Sequence, residues 1–202
     1  MLRVGLTGGV ACGKSTVGEM LVAHGAHFLK ADALAHQLYA PGTDVHHAIV
    51  HHFGTEILKP DGAIDRAKLA NLVFPDRIGE LNAIVHPAVI SAQTGWMNEI
   101  ERQYAHGVAV IEAALIIEAG AAKDFDKIIV VTCDFDQKIE RYSRRAGISL
   151  AAARVEVARR SATQLSDEEK CRHASYVIDN SGSIEDTRQQ VDKLWDELRA
   201  QT

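Results

Sequence analysis

At 202 residues the chain has room for one domain of ordinary size. Hydrophobic residues make up 47% and charged residues 24%, a soluble globular balance that excludes disorder and collagen-like repeats, and a chain this long buries enough surface to need no staples. The formal charge of -5 argues against a broad nucleic-acid surface, so any anion site must be local.

Cys12, Cys133 and Cys171 form no CxxC pair, which speaks against a disulfide scaffold or a zinc ribbon and fits a reducing cytosol. Glu112 and Glu118 interrupt the best apolar run, which falls short of the roughly 18 residues of a membrane helix. Met1 to Gly5 runs straight into glycines and is no signal peptide. The expectation is a cytoplasmic protein with neither nucleic-acid nor membrane partners, a monomer or a weak homo-oligomer.

In chain order, Leu2 to Thr7 is short, apolar and followed by glycines, as a buried strand is. Val17, Met20, Leu21 and His24 recur at helical spacing, so a helix runs from Lys14 to about His24. A second strand follows at His27 to Lys30. The stretch from about Ala33 to His106 has helical periodicity, with Thr43 and Asp65 as N-caps and Pro60-Asp61-Gly62 as a turn. It is too long for a plain crossover and reads as a helical insertion. Pro87 predicts an extended segment at His86 and a helix that starts at the proline. His47 and His51 lie one helical turn apart, but without a third ligand of matching geometry they read as surface histidines.

Val108 to Ala113 and Lys127 to Thr132 are β-branched runs of the parallel-strand kind. A second helical excursion runs from about Asp136 to Ala174, with Ser149 as one cap and Ser166 to Glu169 as a capping box. Tyr176 to Ile178 is a weaker fifth strand. A last helix starts near Ser183 and carries Val191, Leu194, Trp195 and Leu198 on one face. Alternating strands and helices predict an α/β domain with a mostly parallel sheet.

One motif carries chemistry directly. Gly8-Gly9-Val10-Ala11-Cys12-Gly13-Lys14-Ser15, with Thr16 next, fulfils G-x-x-x-x-G-K-[ST] between a predicted strand and a predicted helix. Glycines let backbone N–H groups approach phosphate oxygens, and the helix aims its unpaired N–H groups at the same anion. Lys14 can reach the β- and γ-phosphates of ATP, and the Ser15 hydroxyl can ligate Mg²⁺. Cys12 reads as a small filler, or as a thiol activated by the helix N-terminus. Glu112, at the end of the third strand, reads equally as a carboxylate holding Mg²⁺ through water or as one making a structural hydrogen bond.

A phosphate loop alone leaves kinases, GTPase switches and motor ATPases open. Asp76-Arg77-Ile78-Gly79 imitates a GTPase DxxG but follows no strand, and no N-K-x-D occurs. The second excursion concentrates Arg141, Arg144, Arg145, Arg154, Arg159 and Arg160 in an acidic protein; one or two, Arg141 or Arg145, are expected to serve a transferring phosphoryl group and the rest to lie on a solvated helix face.

Gly5 to Gly9 with Lys14 to Val17, Ala31 to His36, Arg66 to Leu69 with Val73-Phe74, Leu81 to Pro87, Leu115 to Glu118, Gln164, Glu168 to Lys170, and Val177 to Ser183 together resemble the dephospho-CoA kinases, in family order over nearly the whole chain. The resemblance implies a P-loop kinase with a five-stranded parallel sheet flanked by helices: core 1–32, 107–135 and 175–202, an acceptor-binding insertion 33–106 and a lid 136–174. It implies transfer of the ATP γ-phosphate to the ribose 3'-hydroxyl of dephospho-CoA, with Mg²⁺, in the final step of coenzyme A biosynthesis. Lys14, Asp32, Arg141 and Arg145 are then catalytic. Gly8 to Thr16, Asn180 and Gly182 bind nucleotide, the last two beside the adenine. Asp32, Arg66 and His86 bind the acceptor, and Ser15 and Glu112 hold the metal. On residues alone, Asp32 reads as readily as a helix N-cap.

Lys30, where many members are acidic, Ala114, where proline is usual, and Ala146, where aspartate is common, depart from the family pattern. The rivals are another small-molecule kinase with a nucleotide or sugar acceptor, and a nucleotide-binding regulator without turnover.

Overall fold

The structure, a computed structural model, describes residues 1–202. In chain order its elements are β1 (Leu2–Gly8), α1 (Lys14–Ala23), β2 (His27–Lys30), α2 (Ala31–Leu38), α3 (Asp44–Phe53), α4 (Arg66–Val73), α5 (Ile78–Gln103), β3 (Val108–Glu112), β4 (Lys127–Thr132), α6 (Phe135–Ala146), α7 (Leu150–Ser161), α8 (Asp167–Arg172), β5 (Tyr176–Asp179) and α9 (Ile184–Arg199).

The strands form one sheet in the order β2-β3-β1-β4-β5, and β1 pairs in parallel with β3 and β4, as β4 does with β5. The near-continuous Val/Ile runs require cover on both faces, and Val110, Ile111, Ile129 and Val130 are fully buried. The α/β architecture with a five-stranded parallel sheet is the one the alternation predicted. Leu6 is level with Glu112, and Gly8 with Val131. The register therefore delivers the phosphate loop and Glu112 to the same carboxyl edge, where ligands collect in such sheets.

The chain forms two compact units, Met1–Leu29 with Ile100–Thr202, and Lys30–Glu99. In the first, Val4, Leu6, Val110, Ile129 and Val131 pack with Val17 and Leu21 of α1 and with Val191, Leu194, Trp195 and Leu198 of α9. The predicted apolar face of α9 is thus the buried one. His24, the last residue of the expected stripe on α1, is exposed; it stacks on Trp195 at 5.7 Å and meets Asp192 at 2.7 Å. A further cluster joins Val10 of the phosphate loop to Ile139 and Tyr142 of α6 and Ala153 and Val157 of α7.

Helix starts follow the sequence. Ser149 accepts from the Ala152 amide, and Ser166 with Glu169 and Ser183 with Asp186 close reciprocal capping boxes. Lys170, on α8, is wholly buried; its ammonium pairs with Glu118 at 3.0 Å and donates to the Ala114 carbonyl at 3.2 Å and to Gln164 Oε1 at 3.3 Å. Thr7 donates to the same Ala114 carbonyl. Lys170, Gln164, Glu118 and the Ala114 carbonyl therefore form one polar node around a buried ammonium.

In the second unit, Thr43 accepts from the His46 amide, and Asp65 from those of Ala67 and Lys68. Val45, Ile49, Phe53, Leu69, Val73, Leu81 and Val85 form its core. The turn at Pro60 to Gly62 returns the chain so that Leu58 pairs with Ile64, and its Gly62 carbonyl meets the Nε2 of buried His46 at 2.9 Å. The expected break at His86 is corrected: Pro87 lies inside α5, and His86 is helical. Proline removes one helical N–H and crowds the preceding turn. Here Leu81 and Val85 before it and Ala88 and Val89 after it pack on the same core, and their burial outweighs the local penalty.

Candidate active site

Backbone shape comes first in the phosphate loop. Gly8 has φ +148°, and a Cβ there would strike the Val131 carbonyl and stand 2.9 Å from Cys12 Sγ. Gly13, at φ +97°, is the N-cap of α1, and a Cβ would overlap the side-chain amide of Asn180. Ala11 takes a left-handed φ of 55°, which costs a non-glycine residue about 1 kcal/mol. Such turns leave successive N–H groups facing one concavity. The start of α1 has neither a side-chain cap nor an acidic residue in its first turn. Its free N–H groups and positive dipole end are left for an external anion.

Lys14 folds back over the loop, its Nζ 2.9 Å from the carbonyls of Gly8 and of Gly9, and it has no carboxylate partner. Ser15 donates to Glu112 at 3.3 Å, so the two expected metal ligands meet. Cys12 is fully buried; burial pushes its thiol up, against the opposing pull of Lys14. That is the filler of the two readings. Iodoacetamide should leave Cys12 of the native protein unmodified at mildly alkaline pH and label it in denaturant; fast native labelling mapped to Cys12 would contradict this.

The Asn180 side chain is taken up by protein. Its Nδ2 donates to the Cys12 carbonyl at 2.8 Å, its Oδ1 accepts from Thr187 at 2.8 Å, and its own amide donates to Thr132. Arg141 donates to the Asn180 carbonyl at 2.9 Å and to that of Cys12 at 3.4 Å. Both donor groups of Asn180 are thus engaged within the protein, and its side chain braces the phosphate loop. The amides of Ser181 and Ser183 are held by Asp179 and Asp186, which leaves the Gly182 amide open. Arg145 is exposed and lies over the Tyr142 ring at 5.2 Å, so α6 brings Arg141 to the loop but not Arg145. Gly13→Ala should insert about 1–3 kcal/mol of strain and displace Asn180, read as a melting temperature lower by several degrees in scanning calorimetry.

In the second unit the N-cap of α2 is Lys30, not Asp32. The cap reading of Asp32 is therefore displaced: its carboxylate is exposed in the first turn and makes no hydrogen bond or ion pair within the protein. It lines a cavity of about 410 Å³ with His36, Tyr39, Arg66 and an apolar floor that includes Leu69, Val73 and Phe74. Arg66 donates to His36 Nε2 at 2.5 Å and lies over the Tyr39 ring at 5.7 Å. Neither contact is with a carboxylate, so its guanidinium is left for an anionic ligand. Asp32 and Arg66 share this cavity; His86, exposed on α5, does not line it.

Sequence reading missed Lys138, Asp167 and Thr187. A signal for the first existed, since Lys138 falls on the same helical face as Ile139 and Tyr142, which is apolar and buried.

A phosphate loop leading from the first strand of a 2-3-1-4-5 parallel sheet into an open helix N-terminus, with a lysine and a serine–carboxylate pair at its rim, is the equipment of the P-loop kinases, and this chain is of that class. The profile of the dephospho-CoA kinases matches residues 2–186. The chain is 45% identical over 199 residues to the dephospho-CoA kinase of Geobacter metallireducens, covering 98% of this chain and 96% of that one. It is 41% identical to the enzyme of Aquifex aeolicus, covering 98% of each. The solved dephospho-CoA kinase of Campylobacter jejuni superposes with a TM-score of 0.64 at 25% identity, covering 97% of this chain and 96% of that one. The chain belongs to the dephospho-CoA kinase family, ATP-using transferases of the final step of coenzyme A biosynthesis.

Proposed function

We propose that this chain transfers the γ-phosphoryl group of Mg·ATP to the ribose 3'-hydroxyl of dephospho-CoA, in the cytoplasm, with the residues named above in separate roles. Lys14 and the loop amides hold the triphosphate, and Gly182 offers its amide to the adenine. Asp32 orients the acceptor hydroxyl and takes its proton as the new bond forms. The observation that carries this assignment is a carboxylate with no partner in the protein, lining the same cavity as Arg66, whose charge is equally unspent.

Ser15 and Glu112 supply hard oxygen donors within hydrogen-bond distance of each other, a set that suits Mg²⁺. When bound there, the metal would neutralise charge between the β- and γ-phosphates. Arg141 adds a cation beside the loop. Arg145 contributes only if its side chain leaves the Tyr142 ring.

The test is ADP formation that depends on dephospho-CoA, in a coupled assay. Turnover with shikimate or a nucleoside monophosphate instead would replace the acceptor, and ATP binding without turnover would make the chain a regulator. Arg66 is suited to the diphosphate of dephospho-CoA, because a planar guanidinium takes phosphate oxygens in pairs. Arg66→Ala should raise the KM for dephospho-CoA about ten- to a hundredfold and leave the KM for ATP in place. Adenosine, an acceptor without the diphosphate, should be used equally well by both proteins.

A further inference from the structure

Lys138 is the least expected charge in the molecule. It sits in the first turn of α6 with only 7% of its surface exposed, and its ammonium lies 2.5 Å from Asp167 Oδ2 at the first residue of α8. A buried ion pair gains little net stability, because desolvation of both charges offsets their attraction; apolar residues of similar volume often serve as well. Its retention at this place calls for a reason beyond folding.

The pair stands against the phosphate loop. A Cβ placed on Gly9 would lie 3.0 Å from the Lys138 ammonium and 3.0 Å from Asp167 Oδ1. The Gly9 peptide also meets Lys14, since its carbonyl accepts from Lys14 Nζ at 2.9 Å and its neighbour, the Gly8 carbonyl, does the same. Gly9 therefore has two ammonium groups beside it, one buried and paired with Asp167, the other donating to its carbonyl. The next residues fix the orientation: Val10 packs on Ile139 and Tyr142, and Arg141, one turn beyond Lys138, holds the Cys12 carbonyl.

We propose that Lys138 is a positioning residue for phosphoryl transfer, acting with Asp167 through Gly9 on Lys14. The pair fixes the height of the Gly9 carbonyl and with it the place of the Lys14 ammonium. It also ties the start of α6 to the start of α8, so that the arginine-bearing segment between them rests on the same loop. The proposal rests on the reading that this loop carries the phosphates of ATP. It needs nothing of the acceptor site, because every group in the chain from Asp167 to Lys14 belongs to the first unit.

The experiment is a cycle of Lys138→Met, Asp167→Asn and the double variant, each assayed for kcat, the KM of both substrates, and melting temperature. Methionine keeps the length of the stem and removes the charge. A displacement of the reacting group by about 1 Å costs up to a hundredfold in rate, so each single variant should lose between about ten- and a hundredfold in kcat. The KM for dephospho-CoA should stay within twofold of the parent, and the double variant should be no slower than the worse single one, since both changes break one device. Rates within about twofold of the parent with a lowered melting temperature would overturn the proposal and leave a structural strut. Losses that multiply in the double variant would overturn it as well, by showing that the two residues act apart. If Lys138→Met does not fold, Asp167→Asn, on the more exposed partner, decides between the same outcomes. The parent enzyme separates this from the functional reading: absence of ADP formation with dephospho-CoA in the parent condemns the reading of the acceptor, whereas normal parent turnover with unimpaired variants condemns only the role of Lys138.

Discussion

Lys14→Met is expected to lower kcat about a thousandfold while the protein keeps its fold. Removal of one preorganised donor to developing charge typically costs two to three orders of magnitude, and the donor proposed here for the triphosphate carries a full charge. A thousandfold corresponds to about 4 kcal/mol of transition-state stabilisation. The two hydrogen bonds that Lys14 makes are to the Gly8 and Gly9 carbonyls, which can turn to water when it is gone. Folding therefore loses little, and a melting temperature within a few degrees of the parent should accompany the lost rate. Rapid-quench measurement of the chemical step, set beside calorimetric titration of ATP, gives the check. A loss confined to ATP affinity, with kcat intact, would mean that the lysine grips the ground state as tightly as the transition state.

Asp32→Asn should lower kcat by roughly two to four orders of magnitude, the range of a lost general base. The change keeps volume and polarity and removes only the capacity to take a proton. Because the carboxylate holds no other group in the protein, no structural contact goes with it, and the melting temperature and the Kd for ATP should not move. Product formation under single-turnover conditions, at saturating dephospho-CoA, reads the chemical step alone. An Asp32→Asn protein that turns over at the parent rate would remove the aspartate from the reaction. One that loses ATP affinity in proportion would place it on the nucleotide.

Much of this was legible in the residues. β-branched runs gave the strands, because a strand buried on both faces must be apolar throughout. Serine, threonine and aspartate at helix starts gave the caps, because the N–H groups they satisfy are local. The phosphate loop was legible for the same reason: its conformation is dictated within eight residues, by glycines that tolerate what Gly8 and Gly13 must do. Contacts over long sequence separation were not. That Asn180 holds Cys12, or that Lys138 meets Asp167, depends on β5 and α8 arriving beside a loop formed near the amino terminus, and no local pattern encodes it. Pro87 misled because its local preference is real but is overruled by the burial on either side, which a window of a few residues does not weigh. Asp32 stayed ambiguous because a helix-starting acid and a catalytic acid look alike until the cap is seen to lie at Lys30.

The node around Lys170 makes the molecule its own opening gauge. An amine enclosed by Glu118, Gln164 and the Ala114 carbonyl meets an acylating reagent only when α8 lifts away from the segment after β3. Its labelling rate, followed by mass spectrometry while surface lysines saturate at once, would count how often that part of the protein breathes, and the comparison with and without nucleotide would report whether the filled loop slows the breathing.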